Sequence, residues 1–424
     1  MTQKTKQWGA IIVMIALFAM IAFVTNLCTP MATIIKNQGT ISNVLAQIGN
    51  YGNFVAYLVM GIPAGMLISK FGYKKTALIG LGVGIAGILI QYCSGLMDIN
   101  ASGIGAVFAV YLAGAFISGL CMAILNCVVN PMLNILGGGG NSGNQLIQLG
   151  GVFNSSAAVA CYILMGALIA DATKAKIEDA APALMIALGI FVVAFLVISF
   201  TKIEEPKQAP VELKLVSKVM SYRHFALGAL AIFLYMGIEV GVPNFVQQYL
   251  SNEMKMDGNI VGTIVAVYWF MMLIGRLVGA SIGSKFSARA MITTVSIATI
   301  VLVVFGIFAP ATLVSFPGVD WGKLTLIWAE IPMGIFSFLL VGLCTSVMWG
   351  AIFNMAVEGL GKYTSIASGI FMTMVFGCAV MMFIQALVAD AVGYINSYWV
   401  VVACAAYLLF YALVGSRVTR REEE

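Results

Sequence analysis

The chain has 424 residues, of which 61% are hydrophobic and only 9% are charged, and its mean hydropathy is +1.01. Roughly a quarter of an ordinary soluble domain is charged, so this composition excludes a water-soluble globular protein and predicts lipid as the main solvent. The net charge of +5 comes from basic residues scattered one or two per polar break, which argues against a nucleic-acid-binding protein.

Apolar runs long enough to cross a bilayer recur along the whole chain. A hydrocarbon core of about 30 Å needs about 20 helical residues, and such runs between polar breaks predict twelve helices. The first run is too long for a cleaved signal peptide and more runs follow it, so we interpret it as an uncleaved span. In chain order the predicted spans are 8–35, 43–69, 74–95, 103–133, 145–170, 181–201, 224–250, 259–284, 289–313, 324–356, 364–390 and 394–416.

The basic residues orient these spans. With an even number of helices both termini lie on one side, and most of the 22 Lys and Arg residues fall in the breaks on that side. Because basic loops stay in the cytoplasm, the pattern predicts a multi-pass membrane protein with both termini cytoplasmic.

The longest polar connection lies near the middle of the chain, between the sixth and seventh predicted spans. It predicts an N-terminal six-helix bundle over 1–201, a cytoplasmic linker over 202–223 and a C-terminal six-helix bundle over 224–424. The tripeptide Ser-Lys-Phe that begins at Ser69 recurs at Ser284, at the same point of the second half. This recurrence indicates a parallel internal repeat.

The loop after the second predicted span resembles the signature loop of the major facilitator superfamily. The signature has a glycine, three further residues, usually an aspartate, and then basic and glycine positions; here the aspartate position holds Ser69. Serine can cap a helix but cannot pair with a cation. The resemblance implies gating roles for the signature residues and their counterparts in the second half, namely Ser69, Lys70, Gly72, Lys74, Lys285 and Arg276.

Further stretches are similar to the fucose permease family within that superfamily. They are Gly61–Gly65, Asn130–Pro131, Phe153–Ser155, Tyr235–Glu239, Ile274–Arg276 and Ile352–Gly361. The resemblance implies an all-α membrane protein with the major facilitator fold, that is, twelve transmembrane helices in two pseudo-symmetric six-helix bundles. It also implies sugar import by alternating access. The carboxylates that proton symporters of this family carry in helices one and four correspond here to Asn26 and Asn126, which cannot titrate.

Glu239 is the one acidic residue that the span prediction places well inside the membrane. A carboxylate at that depth costs about 2.5–3.5 kcal/mol on insertion scales, so it is retained for a reason. We expect Glu239 to couple transport to protons or to contact the solute. The alternative is a structural hydrogen bond to a neighbouring helix.

Uncharged amides form the largest polar set in the predicted spans. An amide offers donors and an acceptor together, as a sugar hydroxyl does, so the pattern favours a neutral polyol as solute. The alternative role is hydrogen bonding between helices. The candidate solute-binding amides are Asn26, Asn126, Asn130, Gln148, Asn154, Asn244, Gln248 and Asn354. Trp269 and Trp349 are candidate aromatic platforms for a sugar ring, with ordinary packing as their alternative.

Together these features predict a transporter for a hexose, deoxyhexose or amino sugar, with a proton as the co-transported ion. Sodium coupling, uncoupled facilitation, a multidrug exporter and a non-transporting sugar sensor stay as alternatives. A single histidine and a single deep carboxylate provide no catalytic cluster, so we expect neither an enzyme nor a resident metal or cofactor. We expect a monomer in the lipid bilayer, because one chain contains both bundles.

Overall fold

The structure is a computed structural model that describes residues 7–37, 43–168, 181–203, 205, 214–256, 258–310, 312–320 and 325–419. Its helices are α1 (Trp8–Asn37), α2 (Asn43–Gly95), α3 (Ile99–Ser102), α4 (Ile104–Leu136), α5 (Gly140–Leu168), α6 (Ala181–Phe200), α7 (Lys214–Met220), α8 (Arg223–Gln248), α9 (Gly258–Ile282), α10 (Ala288–Phe308), α11 (Met333–Thr345), α12 (Met348–Val357), α13 (Thr364–Thr373), α14 (Gly377–Val392), α15 (Tyr394–Ser397) and α16 (Trp399–Phe410). Two strands, β1 (Leu313–Asp320) and β2 (Thr325–Pro332), separate α10 from α11.

The helices agree with a protein that crosses the membrane many times. Ten helical stretches in the described part of the chain are long and apolar enough to span a bilayer. One of them lies in α2, which holds two of the predicted spans joined at Gly72, where φ is +82°. The 29-residue helix α5 accounts for a further predicted span. Lipid cannot hydrogen-bond to the backbone, so each segment satisfies its own N–H and C=O groups as a helix.

The connection between α10 and α11 corrects the predicted tenth span, which began at residue 324. Residues 325–332 form β2, which pairs antiparallel with β1, and the helix begins only at Met333. The prediction was wrong here because β2 is largely apolar and runs directly into the apolar helix α11, and hydropathy alone does not separate a strand from a helix. On the hairpin, Phe316 lies opposite Ala329; both side chains are buried, whereas Trp328 is 70% exposed.

The chain forms two compact units. Unit 1 comprises Met1–Gly138, Ser156–Val216 and Lys362–Thr373, and unit 2 comprises Gly139–Ser155, Ser217–Gly361 and Met374–Glu424. Each unit therefore contains a short segment from the other half of the sequence. The division into chain halves at residues 201 and 224 stays a prediction.

In unit 1, glycines let helices α2 and α13 pack with their backbones in contact. A Cβ atom on Gly61 would collide with Thr373 and with the carbonyl oxygen of Gly369, and one on Gly65 would lie 2.7 Å from the carbonyl oxygen of Ser365. Small residues are the usual means of close helix packing in lipid, where no hydrophobic effect drives helices together.

In unit 2, α8 packs against α12, α14 and α16, and α9 packs against α11. Glycine again sets the closest approach, because a Cβ on Gly342 of α11 would collide with the carbonyl oxygen of Tyr268 on α9. Helices α9 and α11 therefore pack with their backbones in contact at this point.

Candidate functional site

An ion pair lies in the middle of unit 2, between helices α8 and α9. The Nη2 atom of Arg276 is 3.6 Å from Oε1 of Glu239, and the two side chains are only 9% and 13% exposed. An isolated charge at this depth would be strongly unfavourable, whereas a pair is neutral as a unit. The alternative considered for Glu239, a bond to a neighbouring helix, is thus present in the form of a charge pair.

Arg276 also binds the part of α5 that belongs to unit 2. Its Nη1 atom donates to the carbonyl oxygen of Gly151 at 2.8 Å and to Oδ1 of Asn154 at 3.0 Å. A Cβ on Gly151 would come within 3.2 Å of the arginine side chain, so a glycine there leaves room for it. One guanidinium therefore connects α5, α8 and α9, and a change in its charge partner reaches three helices.

Two buried tyrosines contact Thr345 of helix α11, and one of them, Tyr235, also lies beside the ion pair. The hydroxyl of Tyr235, one turn before Glu239, lies beside the Glu239 carboxylate and donates to the carbonyl oxygen of Thr345 at 3.3 Å. The hydroxyl of Tyr268 is 3.0 Å from Oγ1 of Thr345. Because a tyrosine has a single hydroxyl proton, Tyr235 can donate to the carboxylate or to the carbonyl, but not fully to both.

Thr345 stands where the predicted tenth span is interrupted. Helix α11 ends at this residue and α12 begins at Met348, so backbone carbonyls near the break need partners from side chains. Ser346 Oγ donates to the carbonyl oxygen of Leu343 at 2.6 Å, and Gln148 Nε2 donates to that of Val347 at 3.0 Å. With the Tyr235 bond, three side chains stabilise the interruption.

Glycines of α9 bring that helix directly against the interruption. A Cβ on Gly275 would collide with Ser346 Oγ and lie 2.6 Å from the carbonyl oxygen of Leu343, and one on Gly279 would lie 2.5 Å from Val347. Gly275 is the residue before Arg276, so the ion pair and the interruption are adjacent parts of one packed structure.

Both predicted aromatic platforms lie beside these tyrosines. The ring of Trp349, at the start of α12, is 6.3 Å from that of Tyr235, and the ring of Trp269 meets Tyr268 edge-on at 5.4 Å. Both tryptophans are half-buried. Ionisable, hydroxyl and aromatic groups therefore occur together in unit 2, a combination that suits a polar solute with apolar faces.

The amides of unit 1 form a separate group on α1 and α4. Asn126 donates to the hydroxyl of Tyr57 at 2.8 Å and to the carbonyl of Met122, while Asn130 donates to the carbonyl of Asn126 at 3.0 Å. Asn26 donates to the carbonyl of Ala22 at 2.7 Å. Asn26 and Asn130 thus bond back along their own helices, whereas Asn126 also joins α4 to α2 through Tyr57.

The remaining predicted amides lie near helix ends in unit 2. Gln248 donates to Asn244 at 2.5 Å on the last turn of α8, as their four-residue spacing predicts. Asn354 donates to the carbonyl oxygen of Gly140 at 3.1 Å. The structure does not bring these three amides into the cluster around Glu239.

The predicted gating residues divide into two groups. Ser69, Lys70, Gly72 and Lys74 lie around the turn within α2, and Lys285 is exposed just beyond α9. Arg276 lies apart from them, beside Glu239. The sequence-based account did not pair Arg276 with Glu239, did not include Thr345, and gave the hydroxyls of Tyr235 and Tyr268 no role. The available signal was that Arg276 falls inside a predicted span, where an ionisable residue needs a partner.

Comparisons with known proteins agree with this architecture. The sequence profile of the Major Facilitator Superfamily matches residues 11–374. A glucose/galactose transporter of Brucella abortus biovar 1 (strain 9-941) is 29% identical over 432 residues, which cover 98% of this chain and 96% of the relative. The L-fucose-proton symporter of Escherichia coli (strain K12) is 21% identical, with 95% of this chain and 92% of the relative covered.

A solved structure supports the fold. The crystal structure of a major facilitator transporter, FucP, in the outward conformation matches with a TM-score of 0.79 at 20% identity, over 96% of this chain and 98% of that one. The resemblance inferred from the sequence motifs and the predicted fold are both confirmed, and the similar proteins are transporters rather than enzymes. The chain belongs to the major facilitator superfamily.

Proposed function

We propose that this protein imports a small neutral sugar, a hexose, deoxyhexose or amino sugar, by alternating access, and that a proton is co-transported through Glu239. The observation that carries the proposal is the buried pair of Glu239 and Arg276, flanked by tyrosine hydroxyls and by the ring of Trp349. The names of the similar proteins, a glucose/galactose transporter and an L-fucose-proton symporter, support the substrate class.

Proton coupling follows from the charge balance of the pair. With Glu239 ionised, the pair is neutral. A proton on Glu239 removes the charge partner of Arg276 and leaves its bonds to the neutral oxygens of Gly151 and Asn154. Protonation therefore weakens the α8–α9 contact and leaves the α5–α9 contact in place, which is the differential effect that a coupling ion must have.

The same groups can bind a sugar. A hydroxyl of the solute can accept from Arg276 or Tyr235 and donate to Asn154 or Glu239, because it is both donor and acceptor. The half-buried faces of Trp349 and Trp269 supply flat apolar surface for a sugar ring. In this proposal Glu239 contributes to both solute and proton binding, so the two are linked by a shared carboxylate.

The arginine argues against sodium at the same carboxylate. A guanidinium nitrogen 3.6 Å from Oε1 of Glu239 would repel a sodium ion, and it already occupies one side of the carboxylate that would bind the ion. Uncoupled facilitation is the remaining alternative, and the neutral residues Asn26 and Asn126 are its sequence-based support. For the location we propose the bacterial inner membrane, with both termini cytoplasmic and a monomeric chain.

The test is uptake into proteoliposomes of radiolabelled fucose, glucose, galactose and N-acetylglucosamine, with and without an inward proton gradient. It compares the wild type with Glu239→Gln and with the double variant Glu239→Gln, Arg276→Gln. The double variant is the matched control, since the single variant alone leaves Arg276 without its counter-charge. We expect the gradient to drive accumulation only in the wild type, while both variants at most equilibrate the sugar.

Each other outcome rejects a part of the proposal. If the gradient has no effect on the wild type, proton coupling is wrong, and a sodium gradient then separates sodium symport from facilitation. If Glu239→Gln still accumulates sugar, the coupling group lies elsewhere. If none of the sugars moves, the substrate class is wrong.

A further inference from the structure

A carboxylate from a distant part of unit 1 binds the turn inside α2. Residues 69–75 read Ser-Lys-Phe-Gly-Tyr-Lys-Lys and contain three lysines but no acidic residue. The Glu205 side chain supplies the missing charge: its Oε2 accepts from the backbone N–H of Tyr73 at 2.8 Å, and its Oε1 accepts from that of Lys74 at 2.7 Å.

The two N–H groups are the ones that most need such a partner. Helix geometry resumes after Gly72, so Tyr73 and Lys74 belong to a first turn whose N–H groups have no acceptor within the helix. A carboxylate there also lies at the positive end of the helix dipole. A cap normally comes from the residue just before the helix, whereas this one comes from a position 131 residues beyond Lys74.

Gly72 leaves room for the carboxylate of Glu205. Its φ of +82° lies in the left-handed region that favours glycine, and a Cβ on it would collide with Oε2 of Glu205. Alanine at this position would therefore have two effects: it would strain the backbone of the turn and it would displace the carboxylate. The turn therefore offers the Glu205 side chain two N–H donors and the space that a Cβ at residue 72 would fill.

A second bond between the same segments runs in the opposite direction. Lys74 Nζ donates to the carbonyl oxygen of Ser199 at 2.9 Å, in the last turn of α6, where carbonyls lack partners within the helix. The end of α6 and the start of the second part of α2 thus cap each other. Glu205 lies five residues beyond Phe200, the last residue of α6.

We propose that Glu205 is a latch that anchors the start of the predicted linker, residues 202–223, to the turn at Gly72. In this proposal the chain is fixed to unit 1 as far as Glu205, and not only to the end of α6. The latch acts through backbone hydrogen bonds and through charge attraction to the lysines of the turn. It is independent of which solute the protein carries.

The test uses the full-length protein in nanodiscs and two readouts that require no substrate. Hydrogen exchange is measured at the amides of Tyr73 and Lys74, and the rate of trypsin cleavage is measured at the linker lysines. In Glu205→Ala we expect exchange at both amides to be at least about fivefold faster, as loss of a helix cap predicts. We expect linker cleavage to accelerate by a similar factor.

Two further variants keep the proposal open to refutation. Gly72→Ala, which displaces the carboxylate from the other side, should reproduce both effects, and combining it with Glu205→Ala should give less than the product of the two. Glu358→Gln, which removes an exposed carboxylate of unit 2, should change neither readout. Thermal unfolding checks that each variant is folded.

Three results would overturn the latch. Unchanged exchange at Tyr73 and Lys74 in Glu205→Ala would show that the carboxylate does not protect these amides. Faster exchange without faster cleavage would reduce Glu205 to a local cap that anchors nothing. Equal effects from Glu358→Gln would assign the change to net charge rather than to this contact.

Discussion

The polar residues of α4 in unit 1 and those of α8 and α9 in unit 2 solve the same problem in different ways. Asn126 and Asn130 are neutral; each bonds to a carbonyl one turn earlier in its own helix, and Asn126 also bonds to the hydroxyl of Tyr57 on α2. Glu239 and Arg276 are charged and find their partners on other helices. Neutral groups in lipid can be satisfied locally, whereas a charge requires a partner brought by the fold.

The difference separates the roles that the two groups can have. A neutral amide carries no charge, so its bonds to carbonyls or to a tyrosine hydroxyl do not depend on a proton near neutral pH. A charge pair between helices ties their relative position to its protonation state. Among the described residues, the chemistry that can respond to a proton is concentrated in unit 2, and the substitutions below test that contrast.

The largest effect is expected from Arg276→Gln. It leaves Glu239 without a cation in a buried site and removes the bonds to Gly151 and Asn154, and breaking one side of a buried pair typically costs about 3–5 kcal/mol. We expect a large fall in the thermal unfolding midpoint in detergent and loss of uptake.

The double variant Glu239→Gln, Arg276→Gln is the control for that prediction. Two neutral amides replace the pair and leave no isolated charge, so we expect the double variant to be markedly more stable than Arg276→Gln alone. A double variant no more stable than the single one would show that the pair is not the reason why Arg276 matters.

The next effect is expected at the glycine contact between α9 and the interruption after Thr345. In Gly275→Val the added side chain collides with Ser346 and Leu343, and overpacking of this kind costs about 1–3 kcal/mol. Gly262→Val on the same helix is the matched control, because a Cβ there meets nothing within 4 Å. The thermal unfolding midpoints of the two variants are compared, and equal midpoints would show that the contact at Gly275 is not tightly packed.

A smaller and different effect is expected from the amides of unit 1. Asn126 is a proposed solute contact, so Asn126→Ala should raise the half-saturation concentration for sugar by about tenfold, the equivalent of one lost hydrogen bond. Asn130 is fully buried, and Asn130→Ala should change stability with little effect on half-saturation. Uptake kinetics decide between them, and identical shifts for both variants would contradict separate roles.

The sequence predicted the features that depend on hydropathy and on local spacing. The twelve spans follow from apolar length, and the Asn244–Gln248 bond follows from a four-residue spacing. The partnership of Glu239 with Arg276 was not predicted, because it depends on how α8 and α9 face each other. The β-hairpin was missed because an apolar strand and an apolar helix have similar hydropathy.

The contact between Glu205 and the turn at Gly72 is a second feature that local sequence could not predict. The departure at Ser69 was visible in the sequence and showed that the turn lacks a carboxylate of its own. Nothing local indicated that one would come from beyond α6, since the two residues are joined only in the folded unit. The local sequence showed that the turn lacks a carboxylate, and the tertiary structure places Glu205 there.

The smallest effect is expected from Gln148→Leu. Gln148 is almost fully buried and gives its amide to the carbonyl of Val347, which also accepts from the backbone N–H of Ala351 at 3.2 Å, so the carbonyl keeps one donor after substitution. The loss should be near the average for such bonds in membrane proteins, about 0.6 kcal/mol. Half-saturation should stay unchanged, and the control is Gln247→Leu, which replaces an exposed glutamine of α8. A rise in half-saturation with unchanged stability would instead place Gln148 among the groups that contact the sugar, and would extend solute recognition to the interruption in the tenth span.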